Sequence, residues 1–310
     1  MNQPANYPDV AVLIPCFNEE VSVGKVISDF KDSLPGAHIY VFDNNSTDRT
    51  AEVARARGAT VVASPRQGKG HVVRHMLDEV EASIYLMVDG DDTYPAAQAP
   101  ELVQELRSSG ADMIVGLRIA NQEEGSFRRF HRAGNRVVAR LISTLFRVRV
   151  NDVMSGYRVL SREFARSVPL LSGGFEIETE MTLHAAARGY VIREVPVRYR
   201  GRSEGSVSKL RTFSDGYLVL RTIFQIFKDY KPLVFFSLLA FVLAALSLAA
   251  GWGPVYDYLT TGKVARFPSA ILAAALGILS ALSLGIGIIL DTFAKFQQEN
   301  FELLRKLIRR

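Results

Sequence analysis

Two carboxylates separated by one residue, Asp89-Gly90-Asp91, follow directly on the apolar run Ile84–Val88. An acidic pair at the exposed end of a strand can share one hard cation. Such a cation takes oxygen ligands and, in nucleotide enzymes, usually binds substrate phosphates as well. It would offset charge developing on a departing diphosphate. Asp92 follows as a supporting or simply solvated group. A second polar cluster, Asp43-Asn44-Asn45-Ser46-Thr47-Asp48, closes the run Ile39–Phe42. Its short side chains make a turn and can cap the next helix; a functional reading adds that Asp43 accepts hydrogen bonds from a base or ribose. Arg66-Gln67-Gly68-Lys69-Gly70 is a basic loop ahead of a helix, able to approach a phosphate. It has neither the P-loop spacing nor the third glycine of a dinucleotide fingerprint.

These groups need a scaffold that brings them together. Five short apolar runs supply it: Val10–Ile14, Ile39–Phe42, Thr60–Ala63, Ile84–Val88 and Met113–Val115. Helical patterns stand between them near Val21–Ser33, Thr50–Arg57, Gly70–Val80 and Ala97–Ser108. The alternation predicts an α/β fold, Rossmann-like, with a mainly parallel sheet and flanking helices. In such sheets ligands bind beyond the carboxyl ends of the strands, where Asn18-Glu19, Asp43 and Asp89 stand. Residues 127–146 read as a basic helix, 176–188 as another, and Val191–Val197 as a strand. The single cysteine, Cys16, excludes an internal disulfide, suits a reducing compartment and reads as a packing residue.

The C-terminal third differs. No charged residue occurs from Pro232 to Tyr256 or from Phe267 to Leu290, and each run is long enough to cross a bilayer core. Arg221, Lys228 and Lys231 precede the first run; Lys295, Arg305, Lys306, Arg309 and Arg310 follow the second; the connecting loop has only Lys263 and Arg266. The positive-inside rule then puts both ends of the hairpin in the cytoplasm. Met1 to Pro8 is polar, with no signal-peptide core, so the N-terminal domain is expected to stay there too. The expected division is a catalytic domain over 1–212, an amphipathic juxtamembrane helix over 213–231, two transmembrane helices over 232–291 and an amphipathic C-terminal helix over 292–310. The face Tyr217, Leu220, Phe224 and Phe227 suits either the membrane interface or packing on the globular domain. A net charge of +5 fits anionic headgroups or a phosphorylated substrate. Nucleic acid fits less well, since no basic run is interleaved with aromatics.

Ile14-Pro15-Cys16-Phe17-Asn18-Glu19, Asp43 to Asp48, Gly68-Lys69-Gly70, Asp89-Gly90-Asp91 and Asp152-Val153-Met154-Ser155-Gly156-Tyr157-Arg158 occur in that order. The ordered set resembles the family 2 glycosyltransferases of GT-A fold. Within them it is similar to the polyprenyl-phosphate glycosyltransferases, the group of dolichyl-phosphate mannose synthase and bactoprenol glucosyltransferase. The resemblance implies a multi-pass protein of the cell membrane with a cytoplasmic catalytic domain. Its partners would be a nucleotide-sugar, a polyprenyl phosphate and membrane lipids, with a homo-oligomer left open. It implies Mg2+ or Mn2+ on Asp89 and Asp91, with Asp91 counted as catalytic. Pro15, Asn18 and Glu19 would line the nucleotide pocket, Asp43 would contact the base, and Lys69 would stand near the nucleotide. Asp152 would lie near the anomeric carbon and the acceptor. Arg118 and Arg132 would take the acceptor phosphate, and Arg202 and Lys209 would close over the donor diphosphate.

Three positions depart from the family pattern. Asn44-Asn45 replaces Asp-Gly, Thr93 stands where some members have a glutamine metal ligand, and the stretch Arg202 to Lys209 has one residue more than the usual spacing, so that Arg200 could serve for Arg202. The implied reaction is inverting transfer of a hexose, from UDP-glucose or a similar donor, to polyprenyl phosphate. A lipid phosphate is already an anion and needs little base help; Asp152 could orient it or accept a proton. The basic residues Arg118, Arg128, Arg129 and Arg132 equally suit a headgroup-binding face, and Arg158 could brace the fold through a carboxylate. The alternatives are a GDP-mannose-dependent synthase, or an inactive membrane-bound scaffold or sugar-nucleotide sensor. A processive polysaccharide synthase is excluded because the only tryptophan, Trp252, lies inside an apolar run.

Overall fold

The structure is a computed structural model that describes residues 6–120, 126–201 and 212–308, without the side chains of 120, 126–134, 136, 212–215, 304, 307 and 308. Seven strands form one sheet: β1 (Val10–Cys16), β2 (His38–Asp43), β3 (Thr60–Ala63), β4 (Ile84–Met87), β5 (Met113–Ala120), β6 (Arg158–Ser161) and β7 (Ile192–Tyr199), in the order β3-β2-β1-β4-β6-β5-β7. The helices are α1 (Val23–Ser33), α2 (Thr50–Ala56), α3 (Lys69–Glu79), α4 (Ala99–Ser109), α5 (Ser126–Phe146), α6 (Arg162–Ser167), α7 (Ile177–Ala187), α8 (Thr212–Tyr230), α9 (Pro232–Thr261) and α10 (Phe267–Ile308). The alternation expected from the apolar runs is the one observed. Val12, Leu13, Ile14, Val41, Phe42 and Leu86 are fully or almost fully buried. Central parallel strands are covered on both faces, which is why they read as continuous apolar runs rather than alternating ones.

Strand β6 and helix α6 have no counterpart in the expected elements. Four residues that begin on an arginine carry too little pattern to show. Yet β6 decides the geometry of the site. It runs antiparallel to both neighbours, with Arg158 opposite Met87 on β4 and opposite Val115 on β5. The residues that precede it, 152–157, therefore arrive at the edge where the parallel strands end. Ser155 Oγ donates to Gly116 O (2.7 Å) and Gly116 N to Tyr157 O (2.9 Å), which fastens that loop to β5.

Arg158 is fully buried. It does brace the fold, but not through a hydrogen-bonded carboxylate. Its guanidinium donates to Ser155 O (2.9 Å), Val153 O (2.8 Å) and Thr182 Oγ1 (2.9 Å), tying the 152–157 loop to α7. Burial pushes its pKa down to about 10, with Glu178 and Asp152 opposing that fall.

The chain divides into two compact units: Met1–Ile223 with Arg305–Arg310, and Phe224–Leu304. In the second unit α9 and α10 carry stretches of mean hydropathy 2.6 and 2.3, of which only 6% and 11% is buried. Leu238, Phe241, Leu248, Trp252, Ile271, Leu282 and Ile289 are all more than half exposed. Exposed apolar surface on that scale suits lipid, not water. The second span and the expected C-terminal helix form a single helix, α10. In α8, Tyr217 and Leu220 are exposed while Val219 and Ile223 are buried. Phe224 and Phe227 pack edge-on to Phe235 at the start of α9.

The hairpin is held by small residues and hydroxyls, as expected where lipid supplies no hydrophobic drive between helices. Ser247 Oγ donates to Ala273 O and Ser280 Oγ to Ala240 O, both at 2.7 Å. A Cβ on Gly287 would stand 2.8 Å from the Cβ of Phe236. Gly287→Leu is therefore expected to lower the thermal midpoint of the detergent-solubilised protein by several degrees. Ser280→Ala removes a bond worth about 0.6 kcal/mol in a bilayer and should shift the midpoint by no more than about 2 °C. Equal shifts in the two variants would contradict this packing.

Candidate active site

The carboxyl edge of the sheet gathers Pro15, Asn18, Glu19, Asp43, Lys69, Asp89, Asp91, Arg118 and Asp152. Most sit near a strand end or in the loop beyond it; Lys69 opens α3 and Asp152 lies in the loop that leads into β6. Arg202 and Lys209 lie outside the described residues, as do the side chains of Arg128, Arg129 and Arg132. Arg200 is exposed, and its backbone N–H donates to Thr93 O (2.9 Å).

The loops after β1 and β2 are laced together. Asn18 and Asn45 adopt left-handed backbone conformations (φ 52° and 61°), which asparagine tolerates better than most residues. Asn18 N donates to Ser46 Oγ (2.9 Å), Asn18 Oδ1 accepts from Thr47 N (2.8 Å), and Glu19 N donates to Thr50 Oγ1 (2.8 Å). Ser22 Oγ reaches across to Gly90 O (2.7 Å). Asn18 and Glu19 thus build the wall between the two loops. Asp43 presents a buried Oδ1 with no hydrogen-bond partner among the described residues, the condition of an acceptor that awaits a ligand.

Asn44 explains its own departure from the family pattern. Its amide donates to Ser64 O (2.9 Å) and Arg66 O (2.7 Å), while its oxygen accepts from Gly68 N (2.9 Å) and Gln67 Nε2 (3.2 Å). An aspartate could not serve the two carbonyls. Asn44 holds the basic loop in place and, with it, Lys69.

Lys69 is the centre of the charge cluster. Its ammonium lies 2.6 Å from Asp89 Oδ1 and 2.5 Å from Glu178 Oε1. Burial alone would discharge the lysine, but the two carboxylates prevail and raise its pKa, so it stays charged. Burial and the nearby Asp89 push Glu178 up, against the pull of Lys69. Asp91 is 4% exposed and accepts from Thr93 Oγ1 (2.6 Å), so the residue in the glutamine position supports the acidic pair. The close packing is specific. A Cβ on Gly156 would meet Asp89 Oδ2 at 2.5 Å, and one on Gly90 would meet Cys16 Sγ at 2.7 Å. Cys16 is buried beneath the acidic pair, in the packing role expected of it.

Asp89 and Glu178 share a single ammonium, so when both are ionised they leave one negative charge over, with Asp91 two residues beyond Asp89. That deficit, on hard oxygen donors, fits one divalent cation. Among the described residues no group of three or more acidic, histidine or cysteine side chains is placed to hold a metal ion. The pair Asp89 and Asp91 would suit only a cation whose remaining ligands come from substrate phosphates.

A second ion pair lines the same edge of the sheet. Arg118 Nε and Nη2 grip Asp152 Oδ2 and Oδ1 at 2.7 and 2.9 Å, a bidentate arrangement. Asn135 Nδ2 adds 3.0 Å to Oδ1, and Asp152 N donates to Glu194 Oε1 (2.9 Å). Burial would raise the pKa of Asp152, but its bonds to Arg118 win and hold it below the usual carboxylate range. Arg118 also lies 5.6 Å from the ring centroid of Tyr199. Tyr94, packed against Tyr157 and Tyr199, accepts from Gly156 N (3.0 Å) and closes the corner.

Residues 11–168 match the profile of glycosyl transferase family 2. Glycosyltransferase AglJ of Haloferax volcanii is 33% identical over 97% of this chain and 99% of its own length. The chain belongs to glycosyl transferase family 2. The dolichyl-phosphate hexose transferase of the same organism is 33% identical over 71% of this family 2 chain and 94% of its own. Among solved structures, glucosyl-3-phosphoglycerate synthase from Mycobacterium tuberculosis superposes with TM-score 0.58. That match covers 70% of this chain and 79% of that one at 22% identity, a likeness of GT-A fold. It was solved in complex with Mn2+, UDP and glucosyl-3-phosphoglycerate.

Sequence reasoning missed Glu178, Glu176, Asn135, Glu194 and the tyrosine corner of this glycosyltransferase. The available signal was Glu176-Ile177-Glu178-Thr179-Glu180, three acidic residues opening an otherwise apolar helix, all buried.

The Asp152 carboxylate yields a pH test. A carboxylate with a depressed folded-state pKa stabilises the fold above its unfolded value, about 4, and loses that contribution as pH falls through the folded value. Asp152→Asn is expected to unfold at a lower temperature than wild type at neutral pH. The gap should narrow as pH drops below about 4. A gap of constant size across that range would separate Asp152 from the acid titration.

Proposed function

We propose that this family 2 glycosyltransferase transfers a hexose, with inversion, from UDP-glucose or a similar nucleotide-sugar to a polyprenyl phosphate at the cytoplasmic face of the cell membrane. The observation that carries the reading is the cluster at the end of β4 in which one ammonium serves two carboxylates, in a chain that also holds two apolar, lipid-suited helices. A relative named for dolichyl-phosphate hexose transfer, similar over most of the chain, supports the choice of acceptor.

Asp89 and Asp91 would hold Mg2+ or Mn2+ against the donor diphosphate. The bound ion would supply electrostatic stabilisation of the charge on the leaving nucleoside diphosphate. The other contributions come from the chain. Lys69 keeps Asp89 oriented and adds a fixed positive charge to the diphosphate corner. Asp43, with its open Oδ1, would accept from the base or ribose, against the wall made by Pro15, Asn18 and Glu19. Arg202 and Lys209 would close over the diphosphate. A phosphate oxygen of the acceptor would attack the anomeric carbon as the bond to the diphosphate breaks and its electron pair leaves with the nucleotide. Two anions must be held together for that step, and positioned cations do it. Arg118 and Arg132 would serve the acceptor phosphate. Asp152 already carries two bonds from Arg118 and one from Asn135, which fits a residue that aims the guanidinium better than one that takes a proton.

Purified protein with Mn2+, polyprenyl phosphate and a panel of UDP- and GDP-hexoses is expected to form a glycosyl phospholipid and release nucleoside diphosphate. Asp91→Ala should lower turnover by about a hundredfold or more while the protein remains folded and in the membrane fraction. No product from any donor would remove the transfer reading. Wild-type turnover in Asp91→Ala would remove the metal assignment.

A further inference from the structure

Beside the Lys69 cluster, three buried polar atoms have no hydrogen-bond partner among the described residues: His71 Nδ1, Arg74 Nε and Glu176 Oε2. Two facing elements carry them. His71 and Arg74 stand on the first two turns of α3, and Glu176 ends the loop that leads into α7. The elements are clamped together. Gly70 N donates to Gly173 O (3.1 Å) and Arg74 Nη2 to Ser172 O (3.4 Å). Glu176 is 7% exposed and spends only Oε1 locally, on Gly174 N (3.1 Å). A Cβ on Gly173 would meet His71 Nε2 at 2.9 Å, and one on Gly174 would meet Glu176 Oε2 at 2.7 Å. The glycine pair is what lets the loop lie between these side chains.

Buried polar atoms are nearly always partnered. Three orphans on two facing elements mark a place for an external ligand, and the mixture of groups says of what kind. Glu176 Oε2 can only accept, Arg74 Nε can only donate, and a neutral imidazole nitrogen can do either. Burial first, then the charges of Arg66 and Arg74, lower the pKa of His71, so its ring is neutral near neutral pH. A phosphate wants donors alone and would be repelled by Glu176. Neighbouring hydroxyls each donate and accept, and match the mixed set.

We propose that this polar gap binds the ring hydroxyls of the donor hexose: Glu176 accepts from a hydroxyl, and Arg74 and His71 complete the pattern. Its position supports this. Lys69, two residues before His71 on α3, is bonded to Asp89 (2.6 Å) and to Glu178 (2.5 Å), two residues beyond Glu176, so the gap adjoins the diphosphate corner along both elements. The proposal rests on the donor being a nucleotide-hexose, as set out above.

The test is calorimetric, on the full chain in detergent with Mn2+. UDP-glucose, UDP-galactose, UDP-N-acetylglucosamine and GDP-mannose are each compared with the free nucleoside diphosphate. Glu176→Gln is expected to weaken the hexose donor that wild type binds best by about tenfold, the effect of one lost hydrogen bond to a charged group. Affinity for the free nucleoside diphosphate should stay within about twofold, which also reports that the variant is folded. His71→Ala should show the same split. Equal weakening of both ligands, or no weakening of either, overturns the proposal and leaves the transferase reading standing. Tighter binding of the nucleoside diphosphate in Glu176→Gln would mark an anion site and also overturn it. If wild type binds none of the nucleotides, both readings fall together.

Discussion

An ammonium group buried between two carboxylates is the interaction on which this site depends. Asp89 and Glu178 keep Lys69 charged, and Glu178, 3% exposed, could not be buried at that depth as a carboxylate without it. The three come from the start of α3, the end of β4 and the first turn of α7, so the cluster exists only when those elements are packed. One ammonium for two acids leaves the corner negative when both are ionised. A corner of that sign repels a nucleotide diphosphate by itself and welcomes it when a divalent cation is present.

The same logic runs through the neighbouring pair. Arg118 on β5 and Asp152 ahead of β6 neutralise each other in a bidentate contact. They meet because β6 is antiparallel, so the chain enters that strand where β4 and β5 leave theirs. A fully parallel sheet would have carried Asp152 to the opposite edge. Arg158 then fixes the loop from beneath through two backbone carbonyls and a threonine hydroxyl. The reversal of one four-residue strand therefore decides which charged groups share the active edge.

Much of this was legible in the chain. Asp89-Gly90-Asp91, Asp43 and Lys69 announced themselves because polar residues at the ends of apolar runs have few structural reasons to be there. The two apolar helices showed because long stretches without charge are rare outside membranes. What stayed hidden was hidden for physical reasons. Glu176, Glu178 and Glu180 stand at the start of a helix, where acidic residues are expected for the helix dipole alone. Only the packing of α7 against α3 shows them buried. Strand β6 is too short to display a period. Asn44 looked like a weakened motif, and its four hydrogen bonds show it is the residue that holds the basic loop.

The most direct measurement is the coupling between manganese and UDP on the purified protein, read by titrating UDP in Mn2+ and again in EDTA. Linkage requires that any gain be reciprocal. The account predicts that Mn2+ tightens UDP by about tenfold or more, and that UDP tightens Mn2+ by the same factor. Equal UDP affinity in Mn2+ and EDTA would contradict a negative corner that a divalent ion must complete.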